Sequence, residues 1–159
     1  MAFTIKVKVN GEWKTADVEP EMTLLELLRE QWGLTGTKLG CDEGDCGACT
    51  VLFDGKPVNS CLVLAVRADG HEVVTVEGLG TAERPHPLQS AFEQHGAVQC
   101  GFCAPGMLIS AKALLDANPE PTEQEIREAL AGNLCRCTGY TKIVEAVKSA
   151  GRAMKSSVK

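Results

Sequence analysis

The 159-residue sequence predicts an α+β fold, a small mixed sheet gripping one helix and then a bundle of short helices. Three observations carry this expectation. Apolar residues alternate with polar ones in the opening segment, helical stripes dominate the second half, and a Gly- and Pro-rich stretch separates the two. The expected units are residues 1–78 and 88–159, with 79–87 as the linker.

In the first unit, Ile5, Val7 and Val9 alternate with Lys6, Lys8 and Asn10, so one strand face is apolar and the other solvated. Asn10-Gly11 supplies two residues that tolerate positive φ, the signature of a type I′ hairpin turn, and a second strand follows from Trp13 to Val18. Thr23 and Glu26 have capping-box spacing, and Leu24, Leu25, Leu27 and Leu28 provide the apolar stripe of a helix ending near Gly33. After a cysteine-rich loop come a strand at Thr50–Phe53, a turn at Asp54-Gly55 and a last strand at Val73–Val76.

The segment from Gly78 to Pro87 carries almost no apolar content and reads as a linker. Beyond it, Leu88–His95 forms a helix stopped by Gly96, and Pro105–Ala117 forms another stopped by Asn118-Pro119. Met107, Leu108, Ala111, Leu114 and Leu115 line one face of that second helix. A second capping box, Thr122 with Glu125, opens a helix ending near Gly132, and Ile143, Val147, Ala150 and Met154 mark a C-terminal one. Four short helices suggest a small bundle.

Composition narrows the function. A net charge of -5 and a pI near 5.2 give no long-range attraction for phosphate backbones or anionic membranes, so nucleic acid is not an expected partner. The opening residues show no basic region followed by an apolar one, and no apolar run approaches the roughly 18 residues needed to span a bilayer. A cytoplasmic chain is expected. Its eight cysteines fall short of the roughly 8–10% typical of secreted disulfide scaffolds, and in a reducing compartment clustered thiols point to metal or redox chemistry.

Cys41, Cys46, Cys49 and Cys61 form one quartet with the C-x4-C-x2-C…C spacing of plant-type 2Fe-2S ligation. Gly40, Gly44 and Gly47 let the backbone approach the cluster and aim N–H groups at sulfur, favouring the reduced, more negative state. The nearby Asp42, Glu43 and Asp45 act in the opposite sense. A four-cysteine zinc site is the alternative, but zinc ribbons usually pair two C-x2-C knuckles and this loop has a C-x4-C.

The second quartet is Cys100 and Cys103, with Cys135 and Cys137. Both pairs precede helices, whose N-terminal N–H groups and dipoles favour an anionic cluster if they converge. Spacing alone leaves three readings open here: iron–sulfur, zinc, or a C-x2-C dithiol.

Cys41 to Val51, Gln99-Cys100-Gly101-Phe102-Cys103 with Pro105-Gly106-Met107, and Asn133-Leu134-Cys135-Arg136-Cys137-Thr138-Gly139-Tyr140 resemble the iron–sulfur small subunit of the molybdenum hydroxylases. That family includes xanthine dehydrogenase, aldehyde oxidoreductase, carbon monoxide dehydrogenase, nicotinate dehydrogenase and 4-hydroxybenzoyl-CoA reductase. The resemblance covers nearly the whole chain. It implies a β-grasp ferredoxin domain followed by a four-helix bundle, each holding one 2Fe-2S cluster. It also implies a molybdopterin-binding large subunit, an FAD-binding medium subunit and a dimer of heterotrimers. By carry-over, Gln99 and Cys137 face the molybdopterin, and Arg136 either offsets cluster charge or pairs with a surface acid.

Function also follows from coordination chemistry. Irons saturated by cysteines and bridging sulfides leave no open position for substrate, so such clusters move electrons without making or breaking substrate bonds. The three histidines, His71, His86 and His95, are scattered without triad or ligand spacing, and none replaces a cysteine as a Rieske centre requires. The expected role is a relay of single electrons between molybdopterin and FAD. A free-standing two-cluster ferredoxin is the competing expectation, and a zinc-stabilised interaction module is a weaker one.

Overall fold

The computed structural model describes residues 1–158. Its elements are β1 (Phe3–Val9), β2 (Glu12–Val18), α1 (Leu24–Glu26), β3 (Thr50–Phe53), β4 (Lys56–Asn59), β5 (Glu72–Val74), α2 (Pro87–Gln94), α3 (Ala104–Ala117), α4 (Glu123–Ala129) and α5 (Thr141–Ser156). The α+β class and the division into a sheet half and a helical half are as the sequence predicts.

The five strands form one mixed sheet in the order β2-β1-β5-β3-β4, with β1 and β5 parallel and the other neighbours antiparallel. Asn10 and Gly11 take positive φ at the β1–β2 turn, as do Asp54 and Gly55 at the β3–β4 turn. Period-two alternation sends Ile5, Val7 and Val9 to the buried face, where they meet Leu24, Leu27, Leu28, Val51 and Val73. Thr23 forms its expected capping box with Glu26. The helix it opens continues as a π turn over Leu27–Gln31, so that Leu24, Leu27 and Leu28 lie on the sheet while Leu25 packs on Cys49 and Cys61.

The last strand ends at Val74, two residues before the expected Val76. Thr75 N–H donates to the side-chain oxygen of Asn10 at 2.9 Å, so a turn residue of the first hairpin intercepts the ladder. Val76 then enters a 3₁₀ turn and, with Leu79, packs on the helical core.

That second core gathers Leu88, Phe92, Met107, Leu115, Ile126, Ile143 and Val147 from all four later helices. The capping box Thr122–Glu125 opens α4 as expected. His86 caps α2, with Leu88 N–H donating to its Nδ1 at 3.2 Å. Burial, followed by the charge of Lys112, holds the His86 imidazole below its ordinary pKa, which suits a ring that accepts. The two halves meet where α3 packs against β3 and β4. Among the described residues, no helix is long and apolar enough to cross a membrane.

Candidate metal centres

The first four cysteines come from two segments. Cys41, Cys46 and Cys49 lie on the loop between the π turn and β3, and Cys61 lies on a 3₁₀ turn after β4. Several bonds fix that loop. Asn59 Nδ2 donates to Gly44 O at 2.9 Å, Lys38 N–H to Ala48 O at 3.1 Å, and Ser60 Oγ to Cys49 O at 2.7 Å. Asp42, Gly44 and Gly47 adopt positive φ, which winds the chain so that successive N–H groups point inward. Asp45 and Cys46 N–H groups donate to Cys41 Sγ at 3.3 and 3.4 Å, and Ala48 N–H to Cys46 Sγ at 3.5 Å.

Gly40 shows why a side chain there is not tolerated: a Cβ would stand 2.6 Å from Cys46 Sγ. The free thiols differ accordingly. Backbone hydrogen bonds from Cys46, then Glu43, bring Cys41 down to about 7. Burial, then hydrogen bonding to Cys49, pushes Cys61 up to about 12. Cys49 and Cys61 are buried, with 2% and 5% of their surface exposed, whereas Cys41 and Cys46 reach solvent.

The other four come from the loops that precede α3 and α5. Cys103 is the residue before α3, while Cys137 stands a short turn ahead of α5, so only the first pair abuts its helix directly. Burial, then contact with Cys135, pushes Cys103 up to about 12. Cys137 is raised by hydrogen bonding to Cys100, and both of these are exposed. Burial opposes ionisation of Cys135, but donors from the Thr138 hydroxyl and amide outweigh it and hold its pKa below the ordinary value.

Each quartet therefore closes as two sulfur pairs: Cys41 with Cys46 and Cys49 with Cys61, then Cys103 with Cys135 and Cys100 with Cys137. Two pairs with N–H donors aimed at sulfur suit a sulfide-bridged two-iron cluster, each iron taking one pair. The residues present fit two 2Fe-2S groups.

The quartets are stapled to each other. Leu134 N–H, in the residue before Cys135, donates to Cys46 O at 2.9 Å. Beside it, buried Asn133 donates from Nδ2 to Gly47 O at 3.1 Å and Thr50 Oγ1 at 3.3 Å, and accepts from Ser110 Oγ at 2.6 Å. The contact is backbone to backbone: a Cβ on Gly47 would stand 2.2 Å from Gly132 O, and one on Gly106 would stand 2.3 Å from Gly47 O. Spacing could not flag this contact, because Asn133 meets Gly47 and Thr50 of the sheet half and Ser110 enters it only through Asn133.

Exposed residues flank the cysteines of the second quartet. Phe102 and Leu134 are 47% and 56% exposed, Val98 is exposed, and Gln99 is exposed next to Cys100. Arg136 is exposed between two cysteines. The histidines stand apart from both quartets in role: His86 is a helix cap, and His71 Nδ1 pairs with Asp54 Oδ2 at 2.6 Å on the surface.

Residues 7–74 match the 2Fe-2S iron-sulfur cluster binding domain family, and residues 75–148 match the family described as 2Fe-2S binding domain. The nicotinate dehydrogenase small FeS subunit of Eubacterium barkeri is 54% identical over 148 residues, covering 93% of this chain and 94% of that subunit. Quinoline 2-oxidoreductase from Pseudomonas putida 86 superposes with a TM-score of 0.93 at 48% identity, covering 98% of this chain and 97% of that one. Aldehyde oxidoreductase from Desulfovibrio gigas superposes at 0.94 with 44% identity over 98% of this chain and 17% of that longer one. Similarity of this extent across both cluster-binding halves means that the chain belongs to the iron–sulfur small subunits of the molybdenum hydroxylase family, electron-transfer components of oxidoreductase complexes with larger partners.

Proposed function

We propose that this chain relays single electrons between a molybdopterin centre on a large subunit and FAD on a medium subunit. Cys41, Cys46, Cys49 and Cys61 would hold one 2Fe-2S cluster, and Cys100, Cys103, Cys135 and Cys137 the other. When bound, such clusters supply reversible one-electron chemistry and nothing else, because their irons are saturated. The single observation that carries this reading is the closure of each quartet into two sulfur pairs, one quartet in each half of the fold.

The protein's own groups do the rest. N–H donors on Cys41 and Cys46 stabilise anionic sulfur, and burial of Cys49 and Cys61 keeps water from that side. The Leu134–Cys46 hydrogen bond joins the main chains of the two quartets, a short bonded connection for electron movement between them. Gln99 and Cys137, both exposed, are the residues we assign to the molybdopterin side. The similarity of nearly the whole chain to small FeS subunits supports a permanent partner over a diffusing ferredoxin. We further assign residues 1–78 and 88–159 as the two functional units, with 79–87 between them, and a cytoplasmic setting for an assembly that is a dimer of heterotrimers. Support for the units is the presence of one buried core in each, and for the setting the eight unpaired thiols.

Purification from the native host tests the reading. The chain is expected to co-elute with molybdenum- and flavin-containing subunits, to carry about four irons, and to give two distinguishable EPR signals after dithionite reduction. Recovery as a lone chain would sink the subunit assignment, and zinc in place of iron would sink both clusters.

A further inference from the structure

The loop from Cys135 to Tyr140 contains a hydrogen-bond relay whose direction at Thr138 follows once Cys135 is a thiolate ligand. Tyr140 N–H donates to Thr138 Oγ1 at 3.2 Å, and an amide can only donate, so the hydroxyl oxygen is the acceptor there. The hydroxyl's other neighbour is Cys135 Sγ at 3.1 Å. A thiolate ligand has no hydrogen to give, so the Thr138 hydrogen points at sulfur. The amide of the same residue adds a second donor, Thr138 N–H to Cys135 Sγ at 3.4 Å.

This arrangement is built into the backbone. Gly139 and Tyr140 both take positive φ, +68° and +70°, which returns the Tyr140 amide over the Thr138 side chain. A left-handed aromatic residue is unfavourable unless its surroundings hold it. Tyr140 is held at its far end, where its hydroxyl accepts from Cys135 N–H at 2.8 Å and its ring packs on the helical core. The loop is thus closed by bonds at both ends of one tyrosine, and Thr138 is set against the sulfur.

We propose that Thr138 is a positioning residue that raises the reduction potential of the second cluster by donating its hydroxyl hydrogen to Cys135 Sγ. The inference rests on Cys135 being a ligand of that cluster. Reduction adds one electron and one negative charge, with no bond made or broken, and a donor on a ligating sulfur stabilises the more negative state.

EPR-monitored redox titration of the assembled enzyme tests this, comparing the unaltered protein with Thr138→Val, Thr138→Ala and Thr138→Ser. Val and Ala are expected to move the second cluster's midpoint to lower potential, by about the 59 mV of a tenfold change in a one-electron equilibrium. Ser, which keeps the hydroxyl, should restore it, and the first cluster should not move in any variant. An unshifted midpoint in Val or Ala with both signals intact overturns the proposal, as does a Ser variant that shifts like Val. Loss of the cluster in both Val and Ala with retention in Ser would make the hydroxyl a structural requirement and overturn the tuning role. Failure of the ligand assignment shows separately, as fewer than two cluster signals in the unaltered protein.

Discussion

Cys41 and Cys61 belong to one quartet yet differ sharply as free thiols. Cys41, bathed in backbone N–H donors, is held at about 7, whereas buried Cys61 stands at about 12. In the cluster-free chain at pH 7, Cys41 is therefore roughly half thiolate, against about 1% for an ordinary thiol near 9. Its lower basicity costs some nucleophilicity, so the net gain in alkylation rate is about five-fold. Since the depressed value lies below the ordinary one, the relative advantage is greatest below pH 7, narrows as pH rises from 7 to 9.0 and is gone above 9.0, where ordinary thiols ionise too. Peptide mapping after brief iodoacetamide treatment is expected to find Cys41 labelled well before Cys61 and Cys103, and early labelling of Cys61 would contradict it. The first quartet is suggested by its C-x4-C-x2-C…C spacing, whereas the second is suggested mainly by resemblance. Thr138 is suggested by neither, because its role depends on two positive-φ residues returning the Tyr140 amide to its hydroxyl.

Among the elements, the decisive contact is between two loops from different halves of the chain. Asn133 bonds Gly47 O, Thr50 Oγ1 and Ser110 Oγ at a buried interface. Asn133→Ala leaves Ser110 Oγ without its partner, while Gly47 O and Thr50 Oγ1 keep their bond to each other, and is expected to cost about 1–3 kcal/mol in urea unfolding. Gly47→Ala is expected to be at least as severe, since its Cβ meets the carbonyl of Gly132 and its φ of +73° disfavours any side chain. A cost below about 1 kcal/mol for either change would show that the loops part easily. Hairpins and capping boxes were readable because each is decided within a few residues, as at Asn10-Gly11, Thr23–Glu26 and Thr122–Glu125. The early end of β5 and the His86 cap were not. The first depends on Asn10 reaching Thr75 across 65 residues, and the second on a histidine in the place where Ser, Thr, Asp or Asn is usual.

At the scale of the whole molecule, two cores are joined by the packing of α3 on β3 and β4 and by contacts between the cysteine-bearing loops. The sheet core and the helical core are separate, and the polar groups that bridge them sit on the loop before β3 and the loop before α5. Those loops have little regular secondary structure, and several of their residues take positive φ, so bound clusters would reinforce the hydrogen bonds that hold their shape. Each cluster would also tie distant segments: Cys61 to the 41–49 loop, and the 100–103 loop to the 135–137 loop. Metal binding of this kind is folding free energy, because the unfolded chain has no preformed site. Removing iron with a chelator under oxidising conditions is therefore expected to lower Tm by ~10–20 °C, corresponding to about 5 kcal/mol for a chain of this size. Calorimetry should resolve more than the loss of stability. With clusters in place the interface couples the cores and one transition is expected, while the iron-depleted chain should melt in two, the halves being less tightly coupled. A single transition that persists at reduced Tm would mean that Asn133 and the packing of α3 on β3 and β4 hold the halves together without metal.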